Sequence, residues 1–118
     1  MKRQTLAGRS ILVVEDEPLI AMDISMEFES HGARVVQTQT LKEALGLIED
    51  DGLSAAILDH GLQDGDSTLL CERLVERNIP FVTYTGYHQI EGACTEGVVV
   101  DKPAPPSALV AAVESLLK

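Results

Sequence analysis

The chain of 118 residues lacks any long apolar run, which argues against a membrane-spanning segment. Its uninterrupted apolar stretches are only a few residues long, whereas a helix needs about 20 apolar residues to cross a bilayer. Basic residues precede the first stretch, but residues 11–14 are too few for a secretory signal, and acidic Glu15 follows them. We therefore expect a cytoplasmic protein that does not contact membranes.

Basic residues are scarce: nine Lys and Arg stand against nineteen Asp and Glu, which gives a formal net charge of −10 at pH 7. Such a charge repels nucleic acid and anionic membrane surfaces. The sequence therefore predicts no direct binding of nucleic acid, although a basic protein surface would suit it as a partner. Solubility is the simpler consequence of the same charge.

Cysteine is also scarce, because only Cys71 and Cys94 are present. Both lie in segments with a helical pattern, and a cytoplasmic protein normally keeps its thiols reduced. We therefore expect two reduced, half-buried thiols rather than a disulfide. His31, His60 and His88 are widely separated, and no Cys-x-x-Cys motif accompanies them. The sequence therefore predicts no zinc site.

Short apolar runs alternate with helical patterns along the whole chain. Runs rich in Val, Ile and Leu occur at 10–15, 34–38, 54–58, 80–84 and 98–100. Such continuous apolarity is expected of parallel strands that are covered on both faces. Helical patterns occur at 18–30, 41–50, 66–77, 88–95 and 106–117, of which 88–95 is the weakest.

Two of these helices have recognisable starts. Pro18 is a favoured first-turn residue, and Ile20 and Ile24, one turn apart, predict the inward face of the helix that follows. Thr40 and Glu43 form a capping box, in which a hydroxyl and a carboxylate satisfy free backbone amides reciprocally.

Five strand–helix units in one chain of this length predict an α/β fold with right-handed crossovers. The expected architecture is a doubly wound, flavodoxin-like, five-stranded parallel sheet of order 2-1-3-4-5 with helices on both faces. In such a sheet the functional crevice lies at the carboxyl ends of the first and third strands. No linker, repeat or low-complexity tract interrupts residues 1–118, so we expect one domain.

Polar residues follow four of the predicted strands at the point where each strand ends. Glu15 and Asp16 follow the first strand, Asp59 the third, Thr85 the fourth and Lys102 the fifth. Because the carboxyl ends of parallel strands meet at one edge of a sheet, we expect these side chains to lie close together.

The three carboxylates at this edge suit a magnesium ion. Mg²⁺ prefers oxygen ligands and is usually held by one or two carboxylates and phosphate oxygens, which Glu15, Asp16 and Asp59 could supply. The alternative is that Glu15 and Asp16 only cap the helix that begins at Pro18. Lys102 favours the metal site, since a cation directed at the same edge is what an acidic cluster requires.

Asp59 can act as a nucleophile toward phosphorus if cations neutralise the phosphoryl oxygens. The alternative is a turn-forming aspartate, but Asp59 directly follows a buried run, and Gly61 allows a backbone carbonyl to approach a metal. The Thr85 hydroxyl can bind a phosphoryl oxygen. Pro103 restricts the backbone of Lys102 and so fixes its direction.

Together these residues resemble the receiver domain of two-component response regulators, and the resemblance extends from Ser10 to Leu117. It implies that Asp59 accepts the phosphoryl group, that Thr85 is the switch hydroxyl, and that Lys102 binds the phosphoryl oxygens. The bond between Lys102 and Pro103 is typically cis in this family.

The resemblance also implies the ligands of a Mg²⁺ cofactor. Asp16 matches the direct ligand, Glu15 the acidic partner that acts through water, and Asp59 completes the carboxylate set. The backbone carbonyl of Gly61 matches the remaining protein ligand.

Three features depart from the usual family pattern. Val99 stands where an aromatic residue normally reports phosphorylation, and the span from Thr85 to Lys102 is short. Residues 80–87 are similar to the Pro-Phe-x-Phe-Ala-Thr-Gly signature of a single-domain subgroup, but they differ from it at two positions. Tyr84 and Tyr87 are therefore each either a packed aromatic residue or a replacement for the reporting residue.

The function that the resemblance implies is a phosphoacceptor module of a two-component system or phosphorelay. A histidine kinase or histidine phosphotransfer protein would phosphorylate Asp59, and the surface formed by residues 86–103 would then change for partner docking. The chain would not be an enzyme beyond self-catalysed phosphoryl acceptance and slow autodephosphorylation. Residues 1–9 would be an N-terminal extension, and no effector domain is expected.

Two alternative functions remain. A haloacid-dehalogenase-like phosphatase also uses a strand-end aspartate, but its general-acid aspartate would be needed where Gly61 stands. A receiver-like adaptor that is never phosphorylated would keep the same fold without the chemistry.

Overall fold

The computed structural model describes residues 4–49, 52–59, 67–86 and 92–117. The strands are β1 (Ser10–Val14), β2 (Arg34–Thr38), β3 (Ala55–Asp59), β4 (Phe81–Thr85) and β5 (Val98–Asp101). The helices are α1 (Pro18–Ser30), α2 (Leu41–Leu47), α3 (Thr68–Glu76) and α4 (Pro106–Leu116), with a 3₁₀ helix at Gly92–Glu96.

The five strands form one parallel sheet of order β2-β1-β3-β4-β5, so the predicted topology is confirmed. In the register of the sheet, Asp59 at the end of β3 pairs with Tyr84, and Thr85 at the end of β4 pairs with Asp101. The strand ends that carry the polar residues therefore lie side by side.

Helices cover both faces of the sheet, as the continuous apolarity of the strands predicts. Ile11 and Val13 point to the core beneath α1 and α4, whereas Leu12 and Val14 point to the core beneath α2 and α3. All four β1 side chains are fully buried. This double burial explains why β1 has only apolar residues from Ile11 to Val14, before the chain reaches the edge of the sheet.

The helix signals are confirmed in part. Pro18 is the first residue of α1, and the Thr40 hydroxyl accepts a hydrogen bond of 3.2 Å from the backbone N–H of Glu43. The Glu43 carboxylate accepts hydrogen bonds from the hydroxyls of Thr38 and Thr40. The predicted inward position of Ile20 is wrong, because its side chain is 37% exposed. The buried stripe of α1 instead consists of Ala21, Ile24, Ser25 and Phe28.

The expectation of two reduced thiols is wrong. Cys71 on α3 and Cys94 on the 3₁₀ helix form a disulfide, with their Cα atoms 5.0 Å apart and both side chains fully buried. The two residues are 23 positions apart in sequence, and only the packing of α3 against the 3₁₀ helix brings them together.

The weak helical pattern at 88–95 corresponds to a single 3₁₀ helix, Gly92–Glu96, while residues 88–91 lie outside the described part of the chain. Within the N-terminal extension, Leu6 is buried in the core, and its N–H donates to the carbonyl oxygen of His31. Among the residues that the structure describes, no helix has the length and apolarity needed to cross a membrane.

Candidate functional site

The carboxyl ends of β1, β3, β4 and β5 bring the predicted polar residues to one edge of the sheet. Asp59 and Thr85 are the last residues of β3 and β4, Glu15 directly follows β1, and Lys102 directly follows β5. β3 and β4 are buried along their whole length, and β1 is buried from Ile11 to Val14, so the charged side chains that end or follow β1 and β3 emerge only at the edge.

Three carboxylates converge there. One oxygen each from Glu15, Asp16 and Asp59 lies within 4.8 Å of the other two. The Glu15 and Asp59 side chains are nearly inaccessible, with 2% and 6% of their residue surfaces exposed, and Asp16 is half-buried. The Glu15 carboxylate accepts a hydrogen bond of 3.1 Å from the N–H of Glu17, which holds it at the start of α1.

The Lys102 ammonium faces this cluster. Its Nζ donates a hydrogen bond of 2.8 Å to Asp59 Oδ1 and lies 3.9 Å from Glu15 Oε2. The backbone N–H of Lys102 donates to the carbonyl oxygen of Thr85 at 2.7 Å, which ties the segment after β5 to the end of β4. The Lys102–Pro103 bond is cis.

The charges of the cluster are not balanced. Burial raises the pKa of Glu15 from 4.5 to about 7, and the neighbouring Asp59 charge adds to this effect, although the Glu17 N–H and Lys102 oppose it. For Lys102, burial lowers the pKa of the ammonium, but the hydrogen bond to Asp59 and the nearby carboxylates outweigh burial and raise it. One lysine therefore does not fully compensate the carboxylates, and a proton or a further cation would relieve the repulsion.

The donor set fits magnesium. Carboxylate oxygens are the hard ligands that Mg²⁺ prefers, and Mg²⁺ normally takes only one or two of them, with waters and phosphate oxygens completing its octahedron. The raised pKa of Glu15 is the behaviour expected of a cluster that lacks cationic charge. The Gly61 carbonyl, predicted from the family resemblance as a further ligand, lies outside the described residues.

Thr85 lies at the same edge and is fully buried. Its neighbour Tyr84 is also buried, and the Tyr84 hydroxyl donates to the carbonyl oxygen of Ala104 and accepts from the N–H of Ala104, both at 3.0 Å. The Tyr84 ring centroid lies 5.2 Å from Lys102 Nζ. Tyr84 thus contacts the segment that carries the lysine, while Val99, in the place of the usual aromatic residue, is 41% exposed.

The outer face of α1 was missed by sequence reasoning. Leu19, Met22 and Met26 are 67%, 47% and 60% exposed, and their i, i+3, i+7 spacing places them on one stripe of the helix. Because α1 begins two residues after Asp16, this apolar stripe starts beside the carboxylate cluster. Its signal in the sequence was the excess of apolar residues in α1 over what one buried stripe requires.

Comparisons with known proteins agree with this architecture. The family profile described as the response regulator receiver domain matches residues 11–114. SdrG from Sphingomonas melonis Fr1 is 37% identical, with 93% of this chain and 97% of that chain covered and a TM-score of 0.79. A CheY-like receiver domain protein from Methanospirillum hungatei JF-1 is 26% identical over 92% of this chain and 93% of that chain, with a TM-score of 0.82.

A longer relative matches over part of its length. The response regulator PhyR from Brucella abortus is 30% identical, and the alignment covers 97% of this chain but 50% of that chain, with a TM-score of 0.76. No curated protein sequence matches the chain significantly. These comparisons favour neither the phosphatase nor the unphosphorylated adaptor.

Proposed function

The chain belongs to the response regulator receiver domain family, and from that premise we propose that Asp59 accepts the phosphoryl group while Glu15 and Asp16 hold Mg²⁺. Receiver domains are phosphoacceptor signalling modules of two-component systems, and this chain is one of them. The assignment of each role to a residue of this chain is our proposal, as are the donor and the mode of switching.

One observation carries the assignment of Asp59. It is the carboxylate to which Lys102 donates a hydrogen bond of 2.8 Å, and it also lies within the cluster that Glu15 and Asp16 complete. A nucleophilic carboxylate needs cationic charge on the oxygens of the incoming phosphoryl group. Asp59 has both the ammonium and the candidate metal ligands beside it.

In the proposed reaction, an Asp59 oxygen attacks the phosphorus of a phosphohistidine. The new O–P bond forms as the P–N bond breaks, and the electron pair of the broken bond stays on the histidine nitrogen. Lys102 exchanges its hydrogen bond with Asp59 for one with a phosphoryl oxygen, and the Thr85 hydroxyl donates to another. Mg²⁺, when bound, neutralises charge on the transferring group.

Phosphorylation adds about 1.5–2 negative charges beside Glu15 and Lys102. Thr85 and Lys102 are joined through their backbones, so a movement of either toward the phosphoryl group is passed to the other. We expect this movement to shift a pre-existing equilibrium of residues 86–103, of which residues 87–91 lie outside the described part of the chain. Tyr84, which contacts both Lys102 and Ala104, is the aromatic residue best placed to respond within the described part of the chain.

A histidine kinase or a histidine phosphotransfer protein is the proposed donor, in a cytoplasmic setting. Its histidine must reach Asp59 from the open edge of the sheet, so its docking surface must lie beside that edge. The exposed stripe of Leu19, Met22 and Met26 begins there. An exposed apolar stripe of this kind marks an interaction surface, and we assign it to the donor.

The test is labelling of the whole chain by a small phosphodonor such as acetyl phosphate, followed by intact mass spectrometry. We expect one phosphoryl group per chain in the presence of Mg²⁺, little labelling after chelation, and loss of labelling in Asp59→Asn. The matched control is Asp23→Asn, which changes an exposed carboxylate on α1 and should label normally. Undiminished labelling of Asp59→Asn would refute the assignment.

A further inference from the structure

The disulfide joins two segments that connect the strands of the site. Cys71 lies on α3, which follows the connection from β3, and Cys94 lies on the 3₁₀ helix, which connects β4 to β5. Cys71 and Cys94 are the whole cysteine content of the chain. Both are fully buried, and neither is among the residues that we propose to take part in phosphoryl transfer.

We propose that Cys71 and Cys94 form a redox-modification site that controls how far the 3₁₀ helix moves when Asp59 is phosphorylated. In the oxidised state the bond fastens this helix to α3, and in the dithiol state the helix is free to follow the end of β4. The proposal of redox modification stands on the cysteine pair and on the proposed cytoplasmic setting, while its coupling to signalling rests on the proposed phosphorylation of Asp59.

The surroundings of Cys94 support a mechanical connection. Cys94 Sγ lies 3.6 Å from the carbonyl oxygen of Ser67, at the start of α3, and the Cys94 carbonyl oxygen accepts a hydrogen bond of 3.4 Å from the Thr83 hydroxyl on β4. Next to the 3₁₀ helix, Gly97 lies so close to Phe81 that a Cβ atom there would clash with the Phe81 carbonyl oxygen. The 3₁₀ helix is therefore held against both α3 and β4.

The same segment leads directly to the site. β5 begins at Val98, immediately after Gly97, and ends one residue before Lys102. β4 ends at Thr85, two residues after Thr83, whose hydroxyl donates the hydrogen bond to the Cys94 carbonyl oxygen. A displacement of Thr85 and Lys102 toward a phosphoryl group thus acts on both ends of the segment that the disulfide fastens.

Redox sensing is the chemical use that suits this pair of cysteines. Disulfides in cytoplasmic proteins are usually transient and catalytic or redox-sensing, since thiol reductants keep most thiols reduced. A five-residue 3₁₀ helix is also the kind of short element that opens locally, which gives reagents access to the buried sulfur atoms.

The redox step balances with a peroxide as the two-electron oxidant. One thiolate attacks a peroxide oxygen, which gives a sulfenic acid and releases one water or hydroxide. The second thiol then attacks that sulfur, the S–S bond forms, and a second water leaves. A dithiol reverses the step through a mixed disulfide, so that the two cysteines return to thiols and the reductant becomes a cyclic disulfide.

The first measurement counts thiols and needs no phosphorylation. The whole chain is treated with hydrogen peroxide or with dithiothreitol, unfolded in the presence of iodoacetamide, and weighed. We expect no alkylated cysteine after peroxide and two after dithiothreitol, with full return to the first state on reoxidation. Alkylation of both cysteines after peroxide treatment would overturn the proposal.

The second measurement follows the NMR signals of the backbone amides in both redox states. They are recorded first without a phosphodonor and then with Mg²⁺ and beryllofluoride, a phosphoryl mimic. Reduction alone should shift the amides of residues 92–97 and of Thr85. Beryllofluoride should then shift the amides of residues 92–98 further in the reduced state than in the oxidised state. In the double variant Cys71→Ala/Cys94→Ala, the effect of dithiothreitol should be lost.

The outcomes separate the two proposals. If beryllofluoride shifts no signal in either state, the proposed function and the coupling to signalling fail, while the thiol count still decides the redox modification and a shift of Thr85 on reduction still shows that the disulfide is connected to the end of β4. If reduction shifts only the two cysteines and their sequence neighbours, or if beryllofluoride acts equally in both states, the coupling is refuted. An effect of dithiothreitol on the double variant would also refute it.

Discussion

Replacing Glu15 with glutamine should stabilise the magnesium-free protein at alkaline pH and weaken its binding of Mg²⁺. Glu15 is almost completely buried beside Asp59, and burial together with that charge raises its pKa from 4.5 to about 7. Ionising it in the folded protein is therefore unfavourable. Glutamine keeps the shape of the side chain and removes the charge. The free-energy cost of ionising Glu15 therefore disappears, and a candidate metal ligand is lost with it.

The size and sign of the effect follow from proton linkage. Between pH 4.5 and about 7 the folded state holds the Glu15 proton more tightly than the unfolded state. The free energy of unfolding of the wild type therefore falls as the pH rises through this window. Since a tenfold change in proton affinity corresponds to about 1.4 kcal/mol, the full loss is up to about 3 kcal/mol. Glu15→Gln should lack this loss above neutral pH and should match the wild type in acid.

Urea unfolding with a chelator, at pH values from about 4 to about 8, measures this difference directly. Glu29→Gln, which changes an exposed carboxylate of α1, is the control and should follow the wild type. Added Mg²⁺ should then stabilise the wild type more than Glu15→Gln, because binding to the folded state alone raises its stability. Equal unfolding curves for wild type and Glu15→Gln across this range would refute the reasoning.

Three further predictions concern other parts of the molecule. Lys102→Ala removes the hydrogen-bonded partner of Asp59, so it should lower the free energy of unfolding of the metal-free protein by about 1–3 kcal/mol in urea. It should also slow acetyl phosphate labelling by about 10²-fold, and labelling at the normal rate would contradict the role of the lysine. Met22→Lys should slow transfer from a histidine phosphotransfer protein by about tenfold without changing acetyl phosphate labelling, whereas Leu69→Lys, which changes an exposed residue of α3, should change neither rate. Equal effects of the two variants would exclude α1 as the docking surface. Reducing the disulfide opens a loop that spans 23 positions, so it should lower the free energy of unfolding by about 3 kcal/mol. Dithiothreitol should not lower the free energy of unfolding of the double variant Cys71→Ala/Cys94→Ala.

The fold and the meeting of the polar residues could be predicted because they follow from local patterns. A strand such as β1 is buried on both faces. Its apolar run therefore marks its position, and the first polar residue after that run marks its end. Once several such strands are parallel, their ends must share one edge, and the approach of Lys102 to Asp59 follows without knowledge of any individual contact.

The remaining features depend on tertiary packing that no short window of sequence contains. The disulfide requires α3 to face the 3₁₀ helix, and a spacing of 23 residues gives no sign of this. The exposure of Ile20 was missed because α1 has apolar residues on more than one face, and only contact with the sheet selects Ile24 and Phe28. The contact of Tyr84 with Ala104 likewise depends on the path of the chain after β5.

The central claim is that folding makes Asp59 the phosphoryl acceptor, and chemical mapping of the phosphoryl group tests it most directly. The chain is labelled with acetyl phosphate and Mg²⁺, treated with borohydride, and digested for peptide sequencing by mass spectrometry. Borohydride reduces an aspartyl phosphate to homoserine, so we expect homoserine at position 59 and unchanged aspartate there when Mg²⁺ is withheld. Reduction at Asp16 or at another carboxylate, with position 59 intact, would contradict the account.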